Sequence, residues 1–296
     1  MKTFATPSRP EPAARKPCAL CGREAFSPLW RLEGFSFVRC RGCGLIQQNP
    51  QPLATAVLRR YGQDYLDYEV SRQFDYRDLE LLALADLRFE ERAGFLVETA
   101  RREGRAPAIL DVGCATGALL AHFRDAGWQA TGVEACAESA AYGRAHFGLD
   151  IRPTTLEGAG LGDSRFDVVH ASHLIEHLND PAGFLATVRG LLRPGGLLFL
   201  TTPNADGFQA RLLGKAWRSA INDHLYLFSA TTMRSMLERS GFLVEGCVTW
   251  GGWAKGLPLA FLKPPLDRAA KRRGYGDVMA CVASCGPNEG AGRSTP

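Results

Sequence analysis

Four cysteines near the amino terminus have a spacing that predicts metal chemistry. They form two Cys-x-x-Cys pairs, Cys18 with Cys21 and Cys40 with Cys43, separated by eighteen residues. Two such pairs can place four thiolates at the corners of a tetrahedron, the geometry of a structural Zn²⁺ site with no position open for catalysis. A glycine follows each second cysteine and permits a tight turn. The spacing predicts a zinc ribbon over residues 17–50 and disfavours a redox pair, which normally has one Cys-x-x-Cys.

The second chemical feature is the stretch ILDVGCATGALL, residues 109–120, which reads as a strand, a glycine turn and a helix. This layout commonly holds a nucleotide-like ligand. The dinucleotide pattern Gly-x-Gly-x-x-Gly is met only at Gly113, because Ala115 and Ala118 occupy its other glycine positions. Glu134 ends the next strand at the spacing of a carboxylate that accepts ribose hydroxyls. A dinucleotide is weakly supported, and the lack of Gly-Lys-Ser/Thr excludes a triphosphate-binding loop.

The elements that must position these residues alternate regularly from residue 106 onward. Seven strand-like runs are separated mostly by helical stretches. Those stretches lie around residues 117–126, 137–147, 180–191 and 231–239. The alternation predicts an α/β fold with a mostly parallel sheet and helices on both faces. Residues 51–105 carry apolar side chains at helical spacing among many charges, which predicts a linker or cap of two or three helices.

The whole chain has the composition of a soluble globular protein. Of its 296 residues 46% are hydrophobic and 22% are charged, and the net charge of +4 argues for neither nucleic acid nor membrane as a partner. We expect no transmembrane helix and no secretory signal. Nine cysteines in such a chain predict reduced thiols or metal ligands rather than disulfides. We therefore expect a cytoplasmic protein with disordered tails at residues 1–16 and 287–296.

Asp111, two residues before Gly113, distinguishes among the nucleotide-like ligands. A carboxylate is unfavourable beside a pyrophosphate but favourable beside an ammonium group and a sulfonium. Here the chain resembles the class I S-adenosylmethionine-dependent methyltransferases. ILDVGCATG looks like their first motif, GVE like their ribose-binding acid, FDVVHASHLIEHLNDP like their fourth strand, and LLRPGGLLFLTTPN like the turn into their fifth. The resemblance implies a Rossmann-like, seven-stranded, mostly parallel sheet over residues 106–286.

The resemblance also implies that S-adenosylmethionine binds at the carboxyl ends of the strands. The backbone around the glycine turn would approach the methionine part, and Glu134 would hold the ribose. Ala115 departs from the commonest family motif, which has glycine, and its methyl group narrows the approach. The expected cofactor-binding residues are Asp111, Gly113, Cys114, Gly117, Glu134, Ala135, Leu156, Glu157, Ala171 and Ser172.

The zinc ribbon, followed by GLIQQNPQP and the tyrosine-rich YGQDYLDYE, is similar to bacterial methyltransferases with an amino-terminal zinc-binding domain. Many of these are associated with sugars, surface polysaccharides or secondary metabolites. The resemblance therefore implies a small-molecule acceptor, with O-methylation of a sugar, glycan or secondary-metabolite hydroxyl favoured. Some larger relatives methylate carbon atoms of nucleotide-linked sugars. Their long extra carboxyl-terminal domain has no counterpart in this sequence, which weakens C-methylation as an alternative.

Histidines are candidates for the proton transfer that a hydroxyl acceptor requires. His170, His173 and His177 lie around the end of the fourth strand, and His224 lies in a segment that often covers the substrate pocket in this family. We expect His224 to be the general base, with His173 and His177 as further candidates. His173-x-x-Glu176-His177 also places three metal-binding groups on one helical face. The ubiquinone-pathway O-methyltransferases look similar there but have a carboxylate at the first position, which puts a divalent metal in doubt.

The remaining features leave partners open. Residues 250–276 mix two tryptophans, an apolar run and a basic cluster, typical of a substrate-side insertion or homodimer contact, with peripheral membrane contact as an alternative. The cysteines outside the ribbon are expected to be buried. A ribosomal-RNA methyltransferase would need a more basic ribbon, so nucleic acid is disfavoured. The remaining alternative is a non-catalytic cofactor-binding fold that serves as an interaction module.

Overall fold

The structure is a computed structural model that describes residues 13–60, 62–251, 270–271 and 273–286. Its strands, in chain order, are β1 (Ala13–Ala14), β2 (Phe26–Arg31), β3 (Ser36–Cys40), β4 (Ile46–Gln48), β5 (Gln51–Pro52), β6 (Ala108–Val112), β7 (Gln129–Val133), β8 (Asp150–Arg152), β9 (Phe166–Ser172), β10 (Leu192–Pro203), β11 (Tyr226–Leu227), β12 (Phe242–Trp250) and β13 (Val278–Cys285). Its α-helices are α1 (Ala54–Leu58), α2 (Gln63–Asp86), α3 (Phe89–Arg102), α4 (Ala118–Asp125), α5 (Ala137–Phe147), α6 (Pro181–Leu191), α7 (Phe208–Leu213) and α8 (Ala230–Arg239).

The main sheet has seven strands in the order β12-β13-β10-β9-β6-β7-β8. The five strands from β10 to β8 are parallel to their neighbours, whereas β13 is antiparallel to both β10 and β12. Every residue of β6 and β13 is buried, as expected for strands covered on both faces. The predicted α/β fold with a seven-stranded, mostly parallel sheet is confirmed.

Two cores lie on opposite faces of this sheet, because successive strand residues point in opposite directions. On β6, Leu110 and Val112 join the core that contains α6 and α8 residues, whereas Ile109 joins the core that contains α2, α3 and α4 residues. All four expected helices of this region form, as α4, α5, α6 and α8. Two start at strong caps: Asp180 accepts from the Gly183 amide ahead of α6, and Ser229 forms a capping box ahead of α8.

The amino-terminal region builds a second sheet with the order β11-β4-β3-β2. Its fourth strand, β11, comes from the part of the chain assigned to the main domain, so the ribbon is not closed within residues 17–50. Leu20 and Leu45 of the ribbon belong to the same core as the main sheet. The expected helical linker forms as α1, α2 and α3, and α2 packs against α4 and α5.

The structure describes only part of the remaining expectations about the chain ends and the insertion. The disordered tail does not extend to residues 13–16, because Ala13 and Ala14 pair with β5 and the Lys16 amide donates to Asn49. The remainder of that tail, the tail at 287–296 and most of the insertion at 250–276 lie outside the described residues. Within the described ranges, no helix combines the length and apolar character needed to cross a bilayer.

The expectation of reduced thiols is wrong for one pair. Cys247 of β12 and Cys281 of β13 lie directly opposite each other with their Cα atoms 4.1 Å apart, and they form a disulfide. Chain patterning could not reveal this pairing, because it depends on the register of two antiparallel strands. Cys114, Cys136 and Cys285 are free and buried, as expected.

Candidate active site

The glycine turn between β6 and α4 is left-handed at three alternate positions. The φ angles are 73° at Gly113, 49° at Ala115 and 79° at Gly117. A Cβ atom added at Gly117 would lie 2.6 Å from the Leu149 Cδ1 atom, so glycine there serves packing as well as conformation. Alanine in the left-handed region costs roughly 1 kcal/mol. Ala115 therefore carries backbone strain, in addition to the methyl group noted from the sequence.

Glu134, after β7, is tied directly to this turn. Its carboxylate accepts hydrogen bonds from the Ala115 amide at 2.9 Å and the Cys136 amide at 2.7 Å. Burial raises its pKa, and the two amides oppose that shift. Two fixed amides leave the remaining lone pairs of the carboxylate in a defined direction, which suits the recognition of a pair of vicinal hydroxyls.

Asp111 does not present an unpaired carboxylate to the turn. Its Oδ1 atom lies 2.8 Å from His170 Nδ1, and His170 Nε2 lies 3.4 Å from Glu80 Oε2 on α2. Burial alone would lower the pKa of His170, but the two carboxylates outweigh it and raise the pKa to about 10. His170 is therefore a buried cation between two carboxyl groups at neutral pH. Asp111 was expected to face the ammonium group of the ligand, but one of its oxygen atoms is already paired with His170.

Glu80 connects the cap helix α2 to the carboxyl ends of β9 and β10 by hydrogen bonds. Besides facing His170, its carboxylate accepts from Ser172 Oγ at 2.7 Å and Thr201 Oγ1 at 3.0 Å. Glu69 on the same helix is close enough to Glu134 that burial and this neighbouring charge raise its pKa to about 7. Sequence reasoning missed both glutamates, because the many charges of α2 gave no signal of which ones are buried.

The other expected cofactor residues occupy the carboxyl edge of the sheet to different degrees. Ala171 and Ser172 end β9, and Leu156 and Glu157 stand at the start of a 3-10 helix that follows β8. The Cys114 side chain points into the core, since its sulfur would lie 2.7 Å from a Cβ atom built on Gly132. Only the backbone of Cys114 can therefore contribute to a ligand site.

His177 and His224 are brought together by the segment before β11. Each donates its Nδ1 hydrogen to a backbone carbonyl at 2.8 Å, His177 to Asp223 and His224 to Ser219. The rings are 4.7 Å apart and edge-on. His224 is fully buried, and its Nε2 atom has no hydrogen-bond partner among the described residues. Burial lowers its pKa to about 3, so the ring is neutral.

Glu176 lies between these rings and His173. Its carboxylate accepts from Thr202 Oγ1 at 2.9 Å and lies 3.3 Å from His173 Nδ1. Burial would raise its pKa, but His173 outweighs that effect and lowers the pKa to about 2. The same contact raises the pKa of His173 against the effect of burial. His173 is thus the close partner of Glu176, and its raised pKa suits a proton donor or charge partner better than a base.

The structure changes the metal-binding set expected from His173, Glu176 and His177. The ligand atoms within 4.8 Å of one another belong to Glu176, His177 and His224, and His173 is not in this group. Two imidazoles and a buried carboxylate are a donor set for a divalent transition metal. Chain spacing could not find His224, since it lies on a different segment from the other two.

The amino-terminal cysteines meet the geometric requirement of a tetrahedral metal site. Sulfur–sulfur distances are 3.4 Å between Cys18 and Cys43 and 3.5 Å between Cys21 and Cys40. All four sulfurs lie within 4.8 Å of one another, whereas Zn–S bonds of about 2.3 Å imply tetrahedron edges of about 3.8 Å. The two halves are alike: the amides of Gly22 and Gly44 donate back to the carbonyls of the first cysteine of each pair. The four thiols therefore fit the expected metal.

Comparison with known proteins identifies the family. Residues 84–245, more than half of the 296-residue chain, match the family described as a methyltransferase domain. The chain belongs to this methyltransferase family. The resemblance stated from the sequence motifs is thereby confirmed at the level of the methyltransferase domain and its fold.

Individual relatives match only part of their length. A protein named ubiquinone biosynthesis O-methyltransferase from Cereibacter sphaeroides is 30% identical over 161 residues, which are 52% of this chain and 57% of the relative. A protein of the same name from Caulobacter vibrioides is 39% identical over 115 residues, covering 35% of this chain and 46% of the relative. The chain thus spans about half the length of the curated relatives it matches. A solved S-adenosylmethionine-dependent methyltransferase from Mesorhizobium loti is 20% identical with a TM-score of 0.46, covering 60% of this chain and 91% of that chain.

Proposed function

We propose that this protein is an S-adenosylmethionine-dependent methyltransferase that methylates a hydroxyl group of a small molecule. The observation that carries the proposal is Glu134, a buried carboxylate aligned by the Ala115 and Cys136 amides beside a left-handed glycine turn. That arrangement, at the carboxyl ends of parallel strands, suits the ribose and methionine parts of the cofactor. Membership in the methyltransferase family supports the same conclusion.

The residues of the chain would mainly align the reactants. When bound, S-adenosylmethionine supplies a methyl group already activated on a sulfonium, so proximity and orientation supply most of the acceleration. Glu134 would orient the ribose, and the backbone at Gly113 would lie close to the ligand. Helix α2 would cover the site, where the hydrogen bonds of Glu80 hold it. Ala171 and Ser172 stand at the sheet edge where the methyl group would be transferred.

The proton of the acceptor hydroxyl would pass to His224. Its Nε2 atom carries a lone pair with no partner among the described residues, so it would take up the proton once the acceptor reaches it. A ring whose pKa is about 3 is a weak base in the resting protein. Glu176, within 4.8 Å, supplies the negative charge that would stabilise the imidazolium formed during transfer. His177 stands beside it as an alternative base.

Oxygen is the acceptor atom that the observations favour. The curated relatives are named as O-methyltransferases. The pair of buried His224 and half-buried His177 suits deprotonation of a hydroxyl. The amino-terminal region resembles that of bacterial methyltransferases with a zinc-binding domain, which supports a sugar, glycan or secondary-metabolite acceptor. The four cysteines would hold a structural Zn²⁺ ion, and their closed set leaves it no catalytic position.

The test is calorimetric titration of the zinc-replete protein with S-adenosylmethionine and S-adenosylhomocysteine, with Glu134→Ala as the matched variant. Micromolar binding that the variant loses supports the proposal, and absence of binding to folded protein refutes it. Acceptor screening then begins with sugars and continues to hydroxylated aromatic molecules. Transfer to ribosomal RNA instead, with salt-dependent retention, would replace the small-molecule proposal.

His224→Gln tests the base once an acceptor is known. The glutamine keeps a polar group of similar reach but cannot take up the proton, so kcat should fall by about 100-fold or more. The Kd for S-adenosylmethionine should stay unchanged. Wild-type turnover in this variant would exclude His224 as the base, and His177→Gln would then be measured in the same way.

A further inference from the structure

The ribbon contacts the main domain at the segment that carries His224. Strand β4, which follows the second cysteine pair, adds β11 as its neighbour, with Gln47 opposite Tyr226 and Ile46 opposite Leu227. The Gln48 amide also donates to the Leu225 carbonyl at 2.8 Å. The backbone that leads out of the His224 segment is therefore hydrogen-bonded to the ribbon.

Gln48 extends this contact to His224 itself. Its side chain is almost completely buried, and its Nε2 atom lies 2.8 Å from the carbonyls of both Asn222 and His224. One amide group thus uses both of its hydrogens on two carbonyls of the same loop, two residues apart. Removing this buried donor takes away the hydrogen bond that the His224 carbonyl accepts, whereas the Asn222 carbonyl keeps its bond from Arg60 Nη1 at 3.1 Å. The loop is then held less firmly at His224.

The neighbouring residue faces the cysteine site. Gln47 is fully buried, its Nε2 atom donates to the Pro17 carbonyl at 3.2 Å, and its Oε1 atom accepts from the Ala19 amide at 3.3 Å. Pro17 and Ala19 flank Cys18, the first ligand of the cluster. Two adjacent glutamines on β4 therefore connect the cysteine knuckle on one side with the His224 loop on the other.

We propose that the ribbon is a support for the acceptor side of the active site, and that Gln48 is a positioning residue for His224. The role of His224 as the base rests on the proposed function. The mechanical support of its loop by the ribbon does not depend on that function. Metal at the four cysteines would then stabilise, through β4, the loop over residues 219–228, which carries His224 and β11. The ribbon would be part of the catalytic architecture and not a separate docking module for RNA or protein.

Hydrogen exchange measured by mass spectrometry tests the support without any activity. Gln48→Met preserves the length of the side chain and removes its donors, and Gln129→Met, at an exposed position of β7, is the matched control. Amides over residues 219–228 should exchange about tenfold faster or more in Gln48→Met. The same loop should be deprotected when Zn²⁺ is removed from the wild-type protein by a chelator. Amides of β6 and β9 should keep their wild-type protection in each case.

Unchanged protection of residues 219–228 in Gln48→Met, with the sheet still protected, would overturn the proposal. Global deprotection after zinc removal would show that the ribbon supports the whole fold, which also overturns a local role. A kinetic measurement adds the catalytic part: Gln48→Met should lower kcat at least about tenfold, with the KM for S-adenosylmethionine unchanged. If the loop exchanges faster in Gln48→Met but the wild-type protein transfers no methyl group, the support by the ribbon stands and the proposed function is refuted.

Discussion

The buried His170 cation makes a quantitative prediction about stability and pH. Its pKa rises from an ordinary value of 6.5 to about 10 in the folded protein, because Asp111 and Glu80 outweigh the effect of burial. At about 1.4 kcal/mol for each pKa unit, the charged form is favoured by about 5 kcal/mol in the native state. The pairing distances of 2.8 Å and 3.4 Å are consistent with strong coupling.

The sign of the pH dependence follows from the direction of this shift. A raised native pKa means that the stabilisation is fully present below pH 6.5 and is lost as pH rises toward the native pKa of about 10. Between about pH 7 and about pH 9 the native state keeps a proton that the unfolded chain has released. The free energy of unfolding should therefore fall by about 2–3 kcal/mol across that interval from this group alone.

The assay compares urea unfolding of wild type and His170→Asn at several pH values. Asparagine can still donate to Asp111 but does not titrate, so the variant should show a flatter dependence by the stated amount. His122→Asn, at an exposed position of α4, controls for loss of an imidazole elsewhere. Parallel curves for wild type and His170→Asn would refute the reasoning. An NMR titration that finds the His170 imidazole neutral at pH 8 would refute it independently.

Three further predictions concern the turn, the disulfide and the ribbon. Ala115→Gly relieves the left-handed strain at φ 49° and should change the free energy of unfolding by less than about 1 kcal/mol, while calorimetry shows S-adenosylmethionine binding at least as tight as wild type. Cys247→Ser opens a loop of 34 residues and should lower the free energy of unfolding by about 4 kcal/mol under oxidising conditions, with no difference from wild type in reductant. Cys43→Ser should abolish the binding of one equivalent of Zn²⁺ measured by metal analysis, and retention of that equivalent would contradict the four-thiol site.

Features that depend on neighbours in the chain were predictable. The alternation of strands and helices identified the seven strands of the main sheet, because period and turn residues are local properties. The two Cys-x-x-Cys turns were predictable as well, because each pair is followed by the left-handed glycine that its turn needs, Gly22 or Gly44. The contact between Glu134 and the glycine turn was predictable from their separation along the chain, because the strand–turn–helix unit keeps that separation nearly constant.

The polar core of the site was decided by contacts between distant residues. Glu80 meets Ser172 and Thr201 across separations of 92 and 121 residues, and Gln48 meets His224 across 176. No local pattern distinguishes these buried polar residues from others of the same type on exposed faces. Their burial becomes favourable only when the fold supplies each partner, since an unpaired buried polar group is costly.

The sequence by itself therefore determined the class of fold, the cysteine knuckles and the position of the glycine turn, because each follows from spacing along the chain. Only the tertiary structure decided that Asp111 is paired with His170, that Cys247 faces Cys281, and that β11 completes the ribbon sheet. These outcomes depend on strand register and on which helix crosses the sheet edge. Both are set by the packing of the whole core, to which every buried side chain contributes.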